Sequence, residues 1–440
     1  MKPIMRLIIW GIFFALPFTG QGQDAKQPLT ADEAVKAAIQ HNESLKQAAL
    51  DEGIAALRYK QTEAIYMPQA GLSARYTGTN NPLNAFGLKL QQKGITAADF
   101  NPSLLNDPGT RGDFTTLLEI RQPIFNADLN YQRKAAAGQV EMIKFQSKRS
   151  EEYISYETQL AFLQLQMAIR AEKVIRESLQ TAKAILKKSE DYFNQGVIQK
   201  SDLLNAQVFL SNTETSLETA KSNIEAASDH LSLLMGRPTG VVYTVNDDIK
   251  SVTDNDSLKL TDTRSDFAAM NKGLQVYDLM IKSAKKSYLP RLNAFANYQL
   301  NDKQFMGFGA GAWLAGVQLS WDIFKGNQTK HQISILNLEK QKLGSQLQQQ
   351  KEEAQSGINQ AKRKLNECKF RIRQETTAGA QALEALRVLQ NRYDQGLATT
   401  SDILIAQSQL SRQQLNYVQA LFEQNTAALT LRFLTKTDQP

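Results

Sequence analysis

The sequence predicts a mixed α/β membrane protein, internally duplicated on one plan: helix, strand, strand, long helix, tight tip, helix. Three observations predict it. "FNQGVIQKSDLLNAQ", beginning at Phe193, returns at Tyr393 as "YDQGLATTSDILIAQ" with seven of fifteen positions identical, where chance gives roughly one. Proline is absent between Pro123 and Pro238 and again between Pro290 and Pro440, which leaves room for two uninterrupted helices. The segments between helices alternate apolar and polar residues with period two, the pattern of strands that are apolar on one side only.

Residues 1–22 read as a signal peptide. Lys2 and Arg6 precede the apolar run "LIIWGIFFALPF", and Gly20-Gln21-Gly22 offers a small-x-small cleavage site before Gln23. A membrane anchor needs about 20 apolar residues, and Pro17 with "TGQGQ" ends this run sooner. The protein is therefore expected to be exported. Its single cysteine, Cys368, rules out an intramolecular disulfide, so packing or oligomerisation must hold it together.

The first repeat is expected over 23–240: a helix over 30–66, strands 68–78 and 113–125, a long helix 127–193, a tip 194–201 and a helix 202–235. Thr30 and Glu33 form a capping box at its start. After a linker over 241–264, the second repeat (265–440) gives a helix 265–288, strands 290–300 and 312–324, a long helix 325–393, a tip 394–401 and a helix 402–435. Helices this long need a coiled-coil partner. The seam is visible after each tip: Leu203, Ala206, Leu210, Leu217 and Ala220 are echoed by Ile403, Ala406, Leu410, Tyr417 and Ala420, stepping by three and four.

In "RLNAFANYQL", Leu292, Ala294, Ala296, Tyr298 and Leu300 oppose Arg291, Asn293, Asn297 and Gln299; in the next strand, Trp313, Ala315, Val317 and Leu319 oppose Gln318 and Ser320. Such runs are long enough to cross a bilayer as tilted strands, although a half-buried sheet in a soluble protein alternates in the same way. Four strands cannot close a barrel, and lipid does not tolerate open edges. Further copies must complete it, and three copies would give twelve strands. The long connection 77–112 and the shorter 301–311 would lie outside, with the helices in the periplasm.

At the tips, Gly196 and Gly396 suit the left-handed position that ends a helix. Ser201 and Ser401 suit the N-cap of the next helix, with Asp202 and Asp402 in its first turn. The acids could serve only the helix starts. Symmetry copies around a narrow mouth would instead form an anionic, cation-favouring constriction.

The duplicated plan, the Tyr-x-Pro strand starts at Tyr66 and Tyr288, and the paired tips resemble the TolC family of outer-membrane efflux proteins over the whole mature chain. The resemblance implies a homotrimer, a 12-stranded β-barrel continuous with a 12-helix periplasmic α-barrel of coiled-coil hairpins. It implies passive export, by tripartite efflux or type I secretion, from an inner-membrane pump through a periplasmic adaptor (membrane fusion protein). It further implies a periplasmic gate at Asp202, Asp402 and Tyr393 with Ser201 and Ser401 beside them. Adaptor-contacting tips fall at Gln195, Gly196 and Val197 and at Gln395, Gly396 and Leu397. Ala398 and Ile405 stand where the family can carry Arg and Asp, so the charged lock is thinner here.

Catalytic, cofactor and metal sites are not expected. His41, His230 and His331 fall on different helices without metal-ligand spacing. "GFGAGA" at Gly307 opens no helix and reads as a hairpin connection rather than a dinucleotide loop. Tyr153, Tyr156, Leu160, Leu163 and Met167 are seam residues, and Cys368 suggests nothing catalytic. The formal charge of +7 is dispersed among acids, which fits no nucleic-acid partner. The competing expectation is a soluble periplasmic coiled-coil scaffold or adaptor. A cell-wall hydrolase on a stalk lacks any acid/base pair or nucleophile motif.

Overall fold

The computed structural model describes residues 27–246, 249–251 and 259–435; the signal peptide lies outside them, as does part of the linker. In chain order the elements are β1 (Gln27–Pro28), α1 (Ala31–His41), α2 (Glu43–Gln61), β2 (Gln69–Thr79), α3 (Pro82–Gln91), α4 (Pro102–Asn106), β3 (Arg111–Phe125), α5 (Ala127–Asn194), α6 (Lys200–Leu234), β4 (Tyr243–Thr244), α7 (Ser265–Lys286), β5 (Arg291–Asp302), β6 (Ala310–Ser320), α8 (Gln328–Asp394) and α9 (Thr400–Thr435). Short 3-10 turns cover Thr62–Tyr66 and Ala97–Phe100.

Four differences from the sequence reading have local physical causes. The helix expected over 30–66 breaks at Asn42, whose backbone turns extended and whose side-chain Nδ2 donates to the Leu234 carbonyl at 2.9 Å. Asn42 thus satisfies a carbonyl left open at the end of α6. The 77–112 connection holds α3 and α4, each begun by an Asn cap followed by Pro (Asn81-Pro82, Asn101-Pro102), a helix start that the sequence carries. The strand expected over 312–324 stops at Ser320, because its partner β5 begins at Arg291 opposite that residue. Beyond it the Trp321 indole N–H donates instead to the Tyr288 carbonyl at 2.9 Å. The second long helix starts at Gln328 rather than Lys325, since Gly326 and Asn327 both hold positive φ (57° and 63°).

The chain divides into two compact units. The first comprises the described residues of Met1–Asn42, Ile154–Asp254 and Arg363–Leu429. Here β1 pairs in parallel with β4, Gln27 opposite Tyr243. One core gathers Ala34, Ala37, Ala161, Phe162, Leu165, Leu231, Met235 and Tyr243. Along α6 and α9 the buried positions include Ala206, Thr213, Leu217, Ala220 and Leu231, and Ile403, Ala406, Leu410, Ala420 and Ala427. That spacing keeps one stripe facing inward. The polar member Thr213 bonds back to the Phe209 carbonyl at 2.8 Å.

The second unit comprises the described residues of Glu43–Tyr153, Asn255–Lys362 and Thr430–Pro440. It holds an antiparallel sheet in the order β2-β3-β5-β6. The register aligns Leu72 with Leu118, Leu118 with Tyr298, and Tyr298 with Trp313, so one face is apolar from edge to edge. The other carries Ser73, Arg75, Glu119, Asn297 and Gln299. The apolar face is exposed: Trp313 shows 77% and Leu72 74% of its surface. Helix contacts in this unit follow the strand order. Arg133 of α5 reaches the Tyr59 hydroxyl of α2 at 3.3 Å. Lys272 of α7 pairs with Glu141 of α5 at 2.6 Å, and Lys340 of α8 with Asp278 of α7 at 2.7 Å. Glycines bring the helices close: a Cβ on Gly138 would meet Val276 at 2.8 Å, and one on Gly273 would meet Leu343 at 2.9 Å.

Above the sheet, the β2–β3 connection is tied to its polar side. Asp113, wholly buried, accepts from Gln92 Nε2 (2.7 Å), Thr115 Oγ1 (2.6 Å) and Asn301 Nδ2 (2.6 Å). A buried carboxylate needs such donors.

Candidate functional site: the paired hairpin tips

Both tips turn by the same hydrogen-bond pattern. In the first, Gly196 N–H donates to the Phe193 carbonyl and Val197 N–H to that of Tyr192, both at 2.9 Å. In the second, Gly396 N–H donates to Tyr393 (3.0 Å) and Leu397 N–H to Arg392 (2.8 Å). This is the Schellman closure, in which the residue after the cap must be left-handed. Gly196 has φ +73° and Gly396 φ +74°. Gln195, Gly196 and Val197, and Gln395, Gly396 and Leu397, are all exposed.

The following helices start two residues earlier than expected. Ser201 and Ser401 are not N-caps; Gln199 caps α6, and Thr399 precedes Thr400 at the start of α9. At the second tip, Asp402 Oδ2 accepts from Thr399 N–H (2.9 Å) and Oγ1 (2.7 Å), while Thr399 Oγ1 accepts from Asp402 N–H (3.2 Å). This reciprocal box is legible as Thr-x-x-Asp in the sequence, but the more conspicuous serine masks it. The Thr399 amide and hydroxyl hold the Asp402 carboxyl below its ordinary pKa, so it is ionised at neutral pH. At the first tip, Asp202 Oδ2 accepts from Gln199 N–H at 3.3 Å.

Tyr393 is not at the surface. It is 2% exposed, in a core with Ile185, Leu386, Ile403 and Leu410. Its hydroxyl bonds to Ser189 Oγ at 3.1 Å and Thr400 Oγ1 at 3.2 Å, and its ring lies 5.4 Å from that of Tyr192. Around it, Lys188 pairs with Asp394, and the Tyr192 hydroxyl donates to the Asp394 carbonyl at 3.3 Å. The Asp394 carboxylate, hydrogen-bonded to Lys188, raises the lysine's pKa. Deeper, Gln407 Nε2 donates to Ser178 Oγ at 3.3 Å. These contacts join the hairpin of one repeat to that of the other: Tyr393, Thr400 and Gln407 lie within the second copy of the tip sentence, whereas their neighbours Ser178, Lys188 and Ser189 lie on α5 outside the first copy.

Among the described residues, no cluster of three His, Cys, Asp or Glu side chains could hold a metal, and no helix is long and apolar enough to cross a membrane. A model of outer membrane efflux proteins matches residues 34–237 and 259–435, nearly all of the described chain. The chain belongs to the outer membrane efflux protein family. By that membership the chain is an outer-membrane efflux duct.

Solved structures agree on the fold. VceC of Vibrio cholerae shares 19% identity with the efflux protein at a TM-score of 0.75, covering 93% of this chain and 97% of that one. The CmeC outer membrane channel of Campylobacter jejuni shares 15% at 0.75, covering 98% and 94%. The open state of the Neisseria gonorrhoeae MtrE channel shares 14% at 0.70, covering 93% and 91%. No curated protein matches the sequence.

Proposed function

We propose that this efflux protein is a homotrimer whose three sheets form a 12-stranded barrel and whose hairpins form a 12-helix periplasmic conduit. One observation carries the reading: a four-stranded sheet with an apolar, exposed face ends in two outer strands, β2 and β6, each paired on one side only. Lipid suits the apolar face, but it accepts no unpaired strand edge. Cyclic repetition pairs β2 of each copy with β6 of the next.

On this reading the duct receives cargo from an inner-membrane pump and a periplasmic adaptor, in a tripartite efflux or type I secretion system. Gln195-Gly196-Val197 and Gln395-Gly396-Leu397 meet the adaptor. Asp202 and Asp402, with Ser201, Ser401 and Tyr393 close by, form the periplasmic constriction. The acids then have two jobs: they fix the helix starts, and their outward charge lines the mouth. Tyr393 acts from within, holding the two hairpins of one copy together.

The test is mass and conductance. The protein extracted in mild detergent should be a trimer with cation-favouring single-channel conductance that changes in Asp202→Ala and Asp402→Ala. A monomer without conductance would overturn the barrel.

A further inference from the structure

Where α5 of the first repeat meets α8 and α9 of the second, the helices leave a cavity of about 380 Å³, within the roughly 300–1,000 Å³ that small-molecule sites occupy. Its lining lies in the first compact unit of one chain, so it stands apart from the trimeric reading. The second repeat supplies the room. At the offset of 200 that relates the two tips, Glu375 falls where the first repeat has Ile175, Gly379 where it has Leu179, and Gln413 where it has Thr213. One bulky apolar side chain is exchanged for a carboxylate and another for no side chain at all. A Cβ on Gly379 would meet nothing within 4 Å, so open space stands where a leucine would sit. Glycine is also a poor residue for a helix interior, so α8 is weaker at this position and gains only room.

One polar atom of the lining is unmet. Glu375 Oε2 is buried and has no hydrogen-bond partner among the described residues, and a carboxylate oxygen out of water needs a donor. The donors nearby are engaged: Arg170 and Lys173 of α5 each have a contact of their own, and the Thr376 hydroxyl donates back to the Ile372 carbonyl at 2.7 Å. The rest of the wall includes Val174 and Val418, both buried, and the Tyr417 ring. Among the described residues no group of three His, Cys, Asp or Glu could hold a metal ion. The lining therefore fits a cation carried on carbon. An ammonium N–H meets Glu375, an apolar body meets the valines, and the tyrosine ring attracts the charge. Arg170 and Lys173 on the α5 wall disfavour a second positive charge.

We propose that this cavity binds a small organic monocation, a primary ammonium on an apolar or aromatic body, with its N–H donating to Glu375 and its body between Val174, Val418 and Tyr417. The ligand touches both repeats of one chain. Binding only the folded form, it raises stability.

The probe is phenethylammonium, titrated by calorimetry into the full chain in a neutral detergent, with phenethyl alcohol as its uncharged counterpart. Saturable binding of one probe per chain is expected, with a rise in the thermal unfolding midpoint. The alcohol should bind roughly ten to a hundred times more weakly, and so should the probe to Glu375→Gln, because each loses a charged hydrogen bond. Gly379→Leu restores the residue of the first repeat and should abolish binding, with native mass and helical circular dichroism unchanged. It decides the question even if Glu375→Gln does not fold. No saturable binding by the unsubstituted protein would overturn the site, Glu375 then being met by water. Equal binding by the protein and Gly379→Leu would put the probe elsewhere and overturn it too. Equal affinity for probe and alcohol would overturn the ammonium assignment and leave an apolar pocket only.

Discussion

Ser189 and Tyr393 belong to different repeats, yet their hydroxyls meet at 3.1 Å, with Ser189 wholly buried and Tyr393 almost so. Thr400 Oγ1 completes the chain of hydroxyls at 3.2 Å. The two hairpins of one protomer are thus joined near their tips by a satisfied polar contact inside an apolar core, where an unsatisfied partner is costly.

Tyr393→Phe keeps the ring and removes the hydroxyl, leaving Ser189 and Thr400 short of a partner. The expected loss is about 1–3 kcal/mol, read as a lower thermal unfolding midpoint. Single-channel conductance should rise as the hairpins part more easily. Unchanged values for both would mean that Tyr393 only fills space.

At Gly196 and Gly396 a Cβ would meet nothing within 4 Å, so the cost of substitution is purely conformational. Alanine at either site should cost about 1–2 kcal/mol. Asparagine should cost less, since it tolerates the left-handed region. The matching φ values (73° and 74°) predict equal costs at the two tips. A large difference, measured by denaturant unfolding, would point to a contact made outside the chain.

Asp402→Ala should speed amide exchange across 399–403, because its carboxylate holds the Thr399 amide. If Asp402 also lines the constriction, cation selectivity should fall in the same variant. Exchange that speeds up with selectivity unchanged would confine Asp402 to the helix start. The pH dependence has a definite sign. The Asp402 pKa is depressed from 3.8, first by the Thr399 amide and then by its hydroxyl. Its contribution is therefore whole above pH 3.8 and is lost as pH falls through the lower folded value. Acidification from 7 to 5 should leave the tip unchanged.

In the β2–β3 connection, hydrogen bonding from Lys89, then from the Thr96 amide and hydroxyl, lowers the Asp99 pKa from 3.8 to about 2. This contribution is also present above 3.8 and disappears as pH falls toward about 2. Pepsin should leave residues 82–106 intact near pH 4 and cut them near pH 2. Lys89→Ala should move the onset of cleavage to higher pH. Cleavage equal at both pH values would show that the pair does not hold the segment.

Some of this protein is determined by residue chemistry over short distances. Proline-free runs allow the long helices, a period of two writes the two-faced sheet, and a glycine after a glutamine ends the first helix of each hairpin. These signals are local, and they occur twice, so the duplicated plan and the family are legible without coordinates. The rest depended on partners far along the chain. Asn42 breaks a helix because the Leu234 carbonyl, 192 residues away, needs a donor. The last strand stops at Ser320 because its neighbour begins at Arg291, although the apolar alternation runs on to Ile323. Tyr393 is buried because Ser189 arrives from the other repeat. Periodicity encodes which face a residue prefers, whereas the end of an element and the partner of a hydroxyl are fixed by whichever donor, acceptor or strand the tertiary fold brings to it.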